Sequence, residues 1–248
     1  MRLIFDSHVH VYPFYDIPAL FTALACKLAE LEPDARQMAF LTDIQVGKAF
    51  EELCTVGVPG MTLKQVDTHC LAIKDGMGRE LFLFNGRQIV TAERLEILAL
   101  VCSIDVEGRL PAVDVVKQIH AAGGVAVIAW GVGKWLGSRG DVVRGLIDND
   151  SLKPLLLGDS SMRPSFWGTP DQMEYGRNKG LKIICGSDPL PFRGEEGVAG
   201  AYATLAEYDF DFSNPSVSAR EMLISPSVRF NPMGERSSPV KWLARVLR

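Results

Sequence analysis

Runs without a single polar position constrain this chain most. Val125-Ala-Val-Ile-Ala129 is one; a strand apolar throughout is covered on both faces, as in a parallel sheet sandwiched by helices. Between such runs the spacing changes. Ile17, Leu20, Phe21, Leu24, Leu28 and Leu31 recur every three or four residues, the stripe of an amphipathic helix that Pro33 ends. Met38 to Asp43 reads as a short buried strand, and Val46 to Val56 as a second helix before the Gly57-Val-Pro-Gly60 turn.

The middle breaks the alternation. Cys70 to Ile73, Leu81 to Phe84, Gln88 to Thr91 and Ile97 to Cys102 are strand-like pieces separated by Gly76, Gly78 and Asn85-Gly86, which predicts a hairpin or two. Pro111 then opens a helix to Ala122 that Gly123-Gly124 closes. Beyond it Val142 to Ile147 reads as helix, Leu155 to Leu157 as strand, Gln172 to Lys179 as helix and Leu181 to Cys185 as strand. About seven such units close a distorted TIM-like (β/α)7 barrel, the fold class predicted here. Pro215, Pro226, Pro232 and Pro239 predict an irregular C-terminal tail before a short helix from Val240 to Leu247.

With 248 residues, 47% of them hydrophobic, the chain can bury one large core. The expectation is a single domain over 1–248, with its core at about 1–210 and an extension at about 211–248. Five cysteines, Cys26, Cys54, Cys70, Cys102 and Cys185, form no CxxC pair and read as reduced thiols rather than a zinc-thiolate site. The 26 basic residues against 30 acidic ones show no basic stripe, which argues against nucleic acid as a partner. Leu3-Ile-Phe5 followed by Asp6 lacks the basic start and long apolar stretch of a secretory leader. No apolar run approaches the roughly 20 residues of a membrane span, so the expectation is a cytoplasmic protein with no membrane partner.

Chemistry concentrates at two strand ends. His8 and His10, two apart, project to one side of the opening strand, where two imidazoles can share one ion. Asp6 is expected on that face, one pleat deeper, as a partner orienting a ligating histidine. Cys185-Gly-Ser-Asp188 hands an aspartate to the rim where barrel active sites assemble, as metal ligand or as base; the competing reading is a turn or helix cap before Pro189. Of the cations near strand ends, Arg87, Lys134, Arg139, Arg163 and Arg193, the last two follow a strand end and the Asp188 loop and are expected to face an anionic substrate. His69 and His120 read as structural, and Gly131-Val-Gly-Lys134 lacks the length and the Ser/Thr of a nucleotide loop.

His8-Val-His10, Ala121-Ala-Gly-Gly-Val-Ala-Val-Ile-Ala129 and Gly186-Ser-Asp188, in that order, resemble the PHP family of metal-dependent phosphoesterases, named for polymerase and histidinol phosphatase. The resemblance runs over most of residues 1–200, and it implies the (β/α)7 barrel and a cluster of up to three divalent ions. The wider amidohydrolase class also opens on His-x-His, but the segment around Gly123 fits the PHP pattern better. Several family ligands are replaced. Thr42-Asp43-Ile44 stands for Thr-Asp-His, Gln88 for the Glu of Gly-x-Glu, Glu96 and Trp130 for further histidines, and Leu190 for the histidine after Gly-Ser-Asp. What survives is a three-ligand site, His8, His10 and Asp188, for one divalent ion, zinc, manganese or iron. Asp43 and Glu96 are possible replacement carboxylates, with solvent-facing structural roles the stronger reading. The function implied is a hydrolase acting through an activated water on a small anionic substrate such as a phosphate ester. The alternative is a catalytically degenerate PHP-like protein that binds a small molecule or a partner protein; self-association is compatible with either.

Overall fold

The computed structural model describes residues 1–44, 48–106 and 108–246. The predicted helix start at Val46 and the last helix's end at Leu247 lie outside the described residues. The chain runs β1 (Arg2–Val9), α1 (Ile17–Leu31), β2 (Arg36–Leu41), α2 (Ala49–Val56), β3 (Thr62–Asp67), β4 (Cys70–Lys74), β5 (Glu80–Phe84), β6 (Gly86–Val90) and β7 (Glu96–Leu100). It continues through α3 (Ala112–Ala121), β8 (Val125–Ala129), α4 (Ser138–Asp148), β9 (Leu155–Ser160), α5 (Asp171–Asn178), β10 (Ile183–Gly186), β11 (Tyr202–Glu207), α6 (Pro215–Ile224), β12 (Asn231–Gly234) and α7 (Pro239–Val246).

These strands form two mixed sheets, and neither closes into a barrel. One has the order β12-β11-β1-β2-β5-β4-β3, the other β10-β9-β8-β7-β6. The parallel part is as expected: β1 pairs with β2, β2 with β5, and β8, β9 and β10 with one another. The hairpins predicted for the middle are present, β4 with β5 and β6 with β7; the departure is that β7 also pairs antiparallel with β8. An apolar run does not encode its own direction, so Ile97 to Leu100 carried no sign of this. The tail also differs from the expectation, because β11 pairs antiparallel with β1, β12 pairs with β11, and α6 packs Ala219, Met222 and Leu223 into the core between the sheets. Pro232 is tolerated there because β12 is an edge strand.

Leu3, Phe5, Met38, Phe40, Val127 and Ile184 interlock between the two sheets. Outside the first sheet Ile4, Ala39 and Leu41 pack on Leu20, Leu24 and Leu28 of α1, which starts at an Asp16 cap on the Ala19 N–H (3.0 Å). Outside the second sheet Ile97, Ile128 and Leu157 meet Val115, Ile119 and Val143. Each large apolar side chain so buried contributes roughly 1.5–3 kcal/mol.

The two sheets meet along two edges. Asp43 and Gln88 exchange backbone contacts across one: Gln88 N–H donates to Asp43 O at 2.8 Å and Asp43 N–H to Gly86 O at 3.3 Å. At the other, Asp188 N–H donates to His8 O at 2.9 Å, and a Cβ on Gly186 would stand 2.5 Å from His8 Cβ and 2.6 Å from His8 N. Only glycine lets β10 come this close to β1. Gly186→Ala is therefore expected to cost about 1–3 kcal/mol, read as a lower urea midpoint at unchanged slope.

Candidate metal centre

The position of the histidines depends on a bulge. Pairing between β1 and β2 shifts register between Asp6 and Val9, and Ile4 and Val9, an odd number of residues apart, both pack beneath α1. The strand's faces therefore exchange between them. His8 and His10, flanking Val9, join the inner side of Leu3 and Phe5. Asp6 stays with Ile4, which corrects its expected place beside the imidazoles. Its buried carboxylate accepts from the backbone N–H of His8 (3.1 Å), Ser187 (2.9 Å) and Gly200 (2.9 Å) and from the Ser187 hydroxyl. It braces the seam between the sheets from behind.

His8 and His10 turn their Nε2 atoms toward each other at 3.1 Å. Asp188 Oδ1, carried across the seam by the loop after β10, stands 3.6 Å from the first and 3.5 Å from the second. The histidine side chains are 4% exposed and that of Asp188 is 18% exposed, so the cluster opens to solvent on the carboxylate's side. It is the one group of at least three His, Cys, Asp or Glu side chains among the described residues whose donor atoms could surround an ion. Donor atoms around a tetrahedral ion with bonds of about 2.0–2.1 Å stand about 3.3–3.4 Å apart, and the observed separations of 3.1, 3.5 and 3.6 Å bracket that value. The residues fit a divalent cation.

Protonation agrees with the geometry. His10 Nδ1 lies 2.7 Å from the Thr42 carbonyl, which only accepts, so this nitrogen carries a proton and Nε2 is the ring nitrogen left facing the cluster. Burial, reinforced by His10, holds His8 below its ordinary pKa against the pull of Asp188 and Glu96. Burial works against a charged Asp188, but the charge of protonated His8 and His10, with hydrogen bonds from His10 and the Ser160 hydroxyl, outweighs it and keeps this carboxyl well below the usual carboxylate range. Metal binding uses the charged carboxylate and imidazoles that have given up that charge, so uptake of an ion releases protons.

Asp188 is held from several sides. Ser160 Oγ donates to its Oδ2 at 2.9 Å, and its backbone is left-handed at φ +51°, a region aspartate tolerates better than most residues. Among the described residues no helix N–H donates to its carboxylate, so it caps no helix there. From the tail, Arg245 of α7 donates through Nη2 to the Asp188 carbonyl at 3.1 Å and through Nη1 to Ser161 Oγ (3.2 Å) and Ser237 Oγ (3.1 Å). Arg245 is ion-paired with buried Glu195 at 2.7 Å, and Glu195 in turn accepts from the Leu190 N–H at 3.2 Å. One buried pair thus ties down both ends of the 188–190 loop.

Gln88, noted in the sequence as a replaced ligand, places its amide oxygen 2.9 Å from His8 Nε2; an oxygen there only accepts, so this contact uses an Nε2 proton that His8 gives up when an ion takes its place. Tyr12 lines the same side, its ring centroid 5.5 Å from that of His10. The sequence-predicted cations do not gather here. Arg163 is buried with its donors spent on Asp159 (2.8 and 2.6 Å) and on the Trp167 and Gly168 carbonyls, which corrects its expected ligand-facing role. Arg193 is exposed, with no hydrogen bond or ion pair among the described residues. Arg87 pairs with Asp105, Lys134 with Glu96, and Arg139 with the Gly133 carbonyl. Asp43 is buried rather than solvent-facing; its Oδ2 accepts from the Ala49 N–H at 2.7 Å at the start of α2, and burial raises its carboxyl to about 6.

Fold and cluster together define an α/β chain of two mixed sheets with a His-His-Asp centre at their seam. Solved structures share this fold. PsfC from Pseudomonas syringae PB-5123 matches over 99% of this chain and 97% of its own, with a TM-score of 0.61 at 14% identity. The lesion-specific endonuclease PfuEndoQ from Pyrococcus furiosus matches over 93% of this chain at 12% identity (TM-score 0.56). Endonuclease Q in complex with a 27-mer duplex substrate, with an abasic lesion at the active site, matches over 92% at 14% identity (TM-score 0.54). This chain spans 58% of the length of each endonuclease Q chain. No family model matches the sequence, and no curated protein is detectably similar to it. At these identities the likeness shows the fold.

The duplex complex overturns the exclusion of nucleic acid drawn from the charge balance, since the same fold is seen holding DNA. Overall charge is a poor guide, because recognition uses local clusters of cations whatever the sum over the chain. Among the described residues no helix is long and apolar enough to cross a membrane.

Proposed function

We propose that this chain is a divergent PHP-like, metal-dependent hydrolase with a mononuclear centre, its two sheets a split form of the (β/α)7 barrel. The supporting observation is the convergence of His8 Nε2, His10 Nε2 and Asp188 Oδ1 from opposite sides of the seam, at separations that suit one tetrahedral ion. The chemistry a bound divalent cation supplies is Lewis acidity, making water acidic enough to attack at neutral pH. His8 and His10 supply neutral nitrogen donors. The Asp188 carboxylate supplies negative charge and, through its solvent-facing side, a proton acceptor beside the attacking water. Ser160 and Arg245 fix its orientation, and Gln88 adds a neutral polar group, consistent with an open three-ligand site.

The substrate class proposed is a phosphate ester; the endonuclease neighbours act on a phosphodiester within the same fold. Zinc, manganese and iron all suit the donor set. Protein purified without chelator is expected to carry about one divalent ion per chain by elemental analysis. Loaded with Zn²⁺ or Mn²⁺, it is expected to hydrolyse at least one member of a phosphoester panel, and to stop on EDTA treatment. Metal-free protein that takes up no ion on loading would sink the proposal.

A further inference from the structure

A second concave site lies on the opposite face of β9 and β10 from the metal centre. Along β10, Ile184 points into the core between the sheets and Gly186 packs on His8, whereas Ile183 and Cys185 line a cleft on the other side. The same division holds on β9, where Ser160 bonds Asp188 and its neighbour Asp159 lines the cleft. The cleft has a volume of about 860 Å³, within the range of small-molecule sites.

Its lining is strongly cationic in a chain whose formal net charge is −4. Arg163, Arg177, Lys182, Arg229 and Arg236 surround it, and Asp159 is the one carboxylate among the lining residues. Asp159 is already neutralised by Arg163 at its floor, with Tyr202 donating to it at 2.9 Å. That leaves the other four cations without a facing counter-charge. Lys182 donates to the Leu223 and Ser225 carbonyls and Arg236 to those of Pro164, Ser165 and Trp167. Those contacts orient the two side chains without cancelling their charge. Arg177 and Arg229 are exposed and have no ion pair among the described residues.

Like charges gathered in one concavity repel, and the low-dielectric walls focus their field on whatever anion enters. Arginine forks match phosphate oxygens two at a time. Val228, Phe230 and Pro232 add an apolar wall beside them, with Lys182 lying 4.8 Å from the Phe230 ring centre. A phosphate group with an organic part fits this combination. A duplex backbone, by contrast, tracks along an extended surface.

We propose that this cleft binds an organic diphosphate of nucleoside-diphosphate size, with Arg177 and Arg229 gripping the phosphates, Lys182 and Arg236 flanking them, and the organic part resting on Phe230. The site is separate from the metal centre and does not depend on the function proposed for it. Calorimetric titration of the metal-stripped full chain with inorganic pyrophosphate and with ADP tests the assignment. Each is expected to bind with one-to-one stoichiometry and to compete with the other, ADP more tightly, both weakening as salt rises. R177A/R229A, altered only at exposed positions, is expected to weaken both by at least tenfold, and H8A/H10A to leave both unchanged. Absence of saturable binding would overturn the proposal, as would unchanged affinity in R177A/R229A or loss of binding in H8A/H10A. Binding of a DNA duplex that depends on Arg177 and Arg229 while neither small ligand competes would assign the cleft to a nucleic-acid backbone and equally overturn it.

Discussion

Asp188→Asn is expected to reduce hydrolysis by on the order of 10³-fold or more, equivalent to about 4 kcal/mol of transition-state stabilisation, while leaving the fold intact. The substitution is close to isosteric, and asparagine tolerates the left-handed backbone found at this position (φ +51°). The side-chain carbonyl can still accept from Ser160 Oγ, and the backbone bond to His8 O is untouched. What disappears is the negative charge beside two neutral imidazoles, and with it the anionic donor and the proton acceptor. Single-turnover rates at saturating Mn²⁺ measure the chemical step, and metal titration followed by isothermal calorimetry measures affinity. Wild-type activity in Asp188→Asn would remove this carboxylate from the mechanism even if the protein still bound an ion.

The second large effect is expected far along the chain. Arg245→Ala leaves Glu195 charged, buried and unpaired, a situation that costs about 3–5 kcal/mol, so the urea midpoint is expected to fall steeply. Stability alone does not separate a general packing defect from a role at the centre. The double variant Arg245→Met/Glu195→Leu removes both charges and is expected to recover most of the stability. It still lacks the donor to the Asp188 carbonyl and the acceptor for the Leu190 N–H. The prediction is a stable protein whose metal affinity remains about 10–100-fold below wild type, the penalty typical of disturbing groups that orient ligands. Full metal affinity in that double variant would reduce the Arg245–Glu195 pair to a purely structural brace.

The part of the centre legible in the sequence was the part that depends on local geometry. His8 and His10 share a side because residues two apart in a strand do, and Asp188 follows a strand whose apolar run marks its end. The bulge between Asp6 and Val9 has no composition of its own, so Asp6 was placed on the wrong face by a rule that was sound on either side of it. Arg163 follows a strand end as expected, but Asp159, four residues earlier, takes both of its forks. Periodicity cannot show how a cation's donors are divided. Arg245 was invisible for a different reason: it lies 57 residues from Asp188, on the short helix expected from Val240 to Leu247, and nothing in the sequence docks that helix on the loop after β10. The prolines that suggested an irregular tail before it misled as well, since Asn214-Pro215 starts a helix, with Pro215 at its first position, where the missing N–H has no cost. The antiparallel pairing of β7 with β8 escaped because a buried apolar strand reads the same in either direction.

The sites of His8 and Arg245 in the chain have a consequence for synthesis. The imidazoles belong to β1, while the guanidinium that steadies their partner loop belongs to α7, which is made much later. Until that helix is released the early imidazoles have no steadied carboxylate to meet, so a nascent chain is not expected to hold an ion firmly. Maturation of the centre therefore waits on the docking of α7, the most sequence-distant contact that its loop depends on.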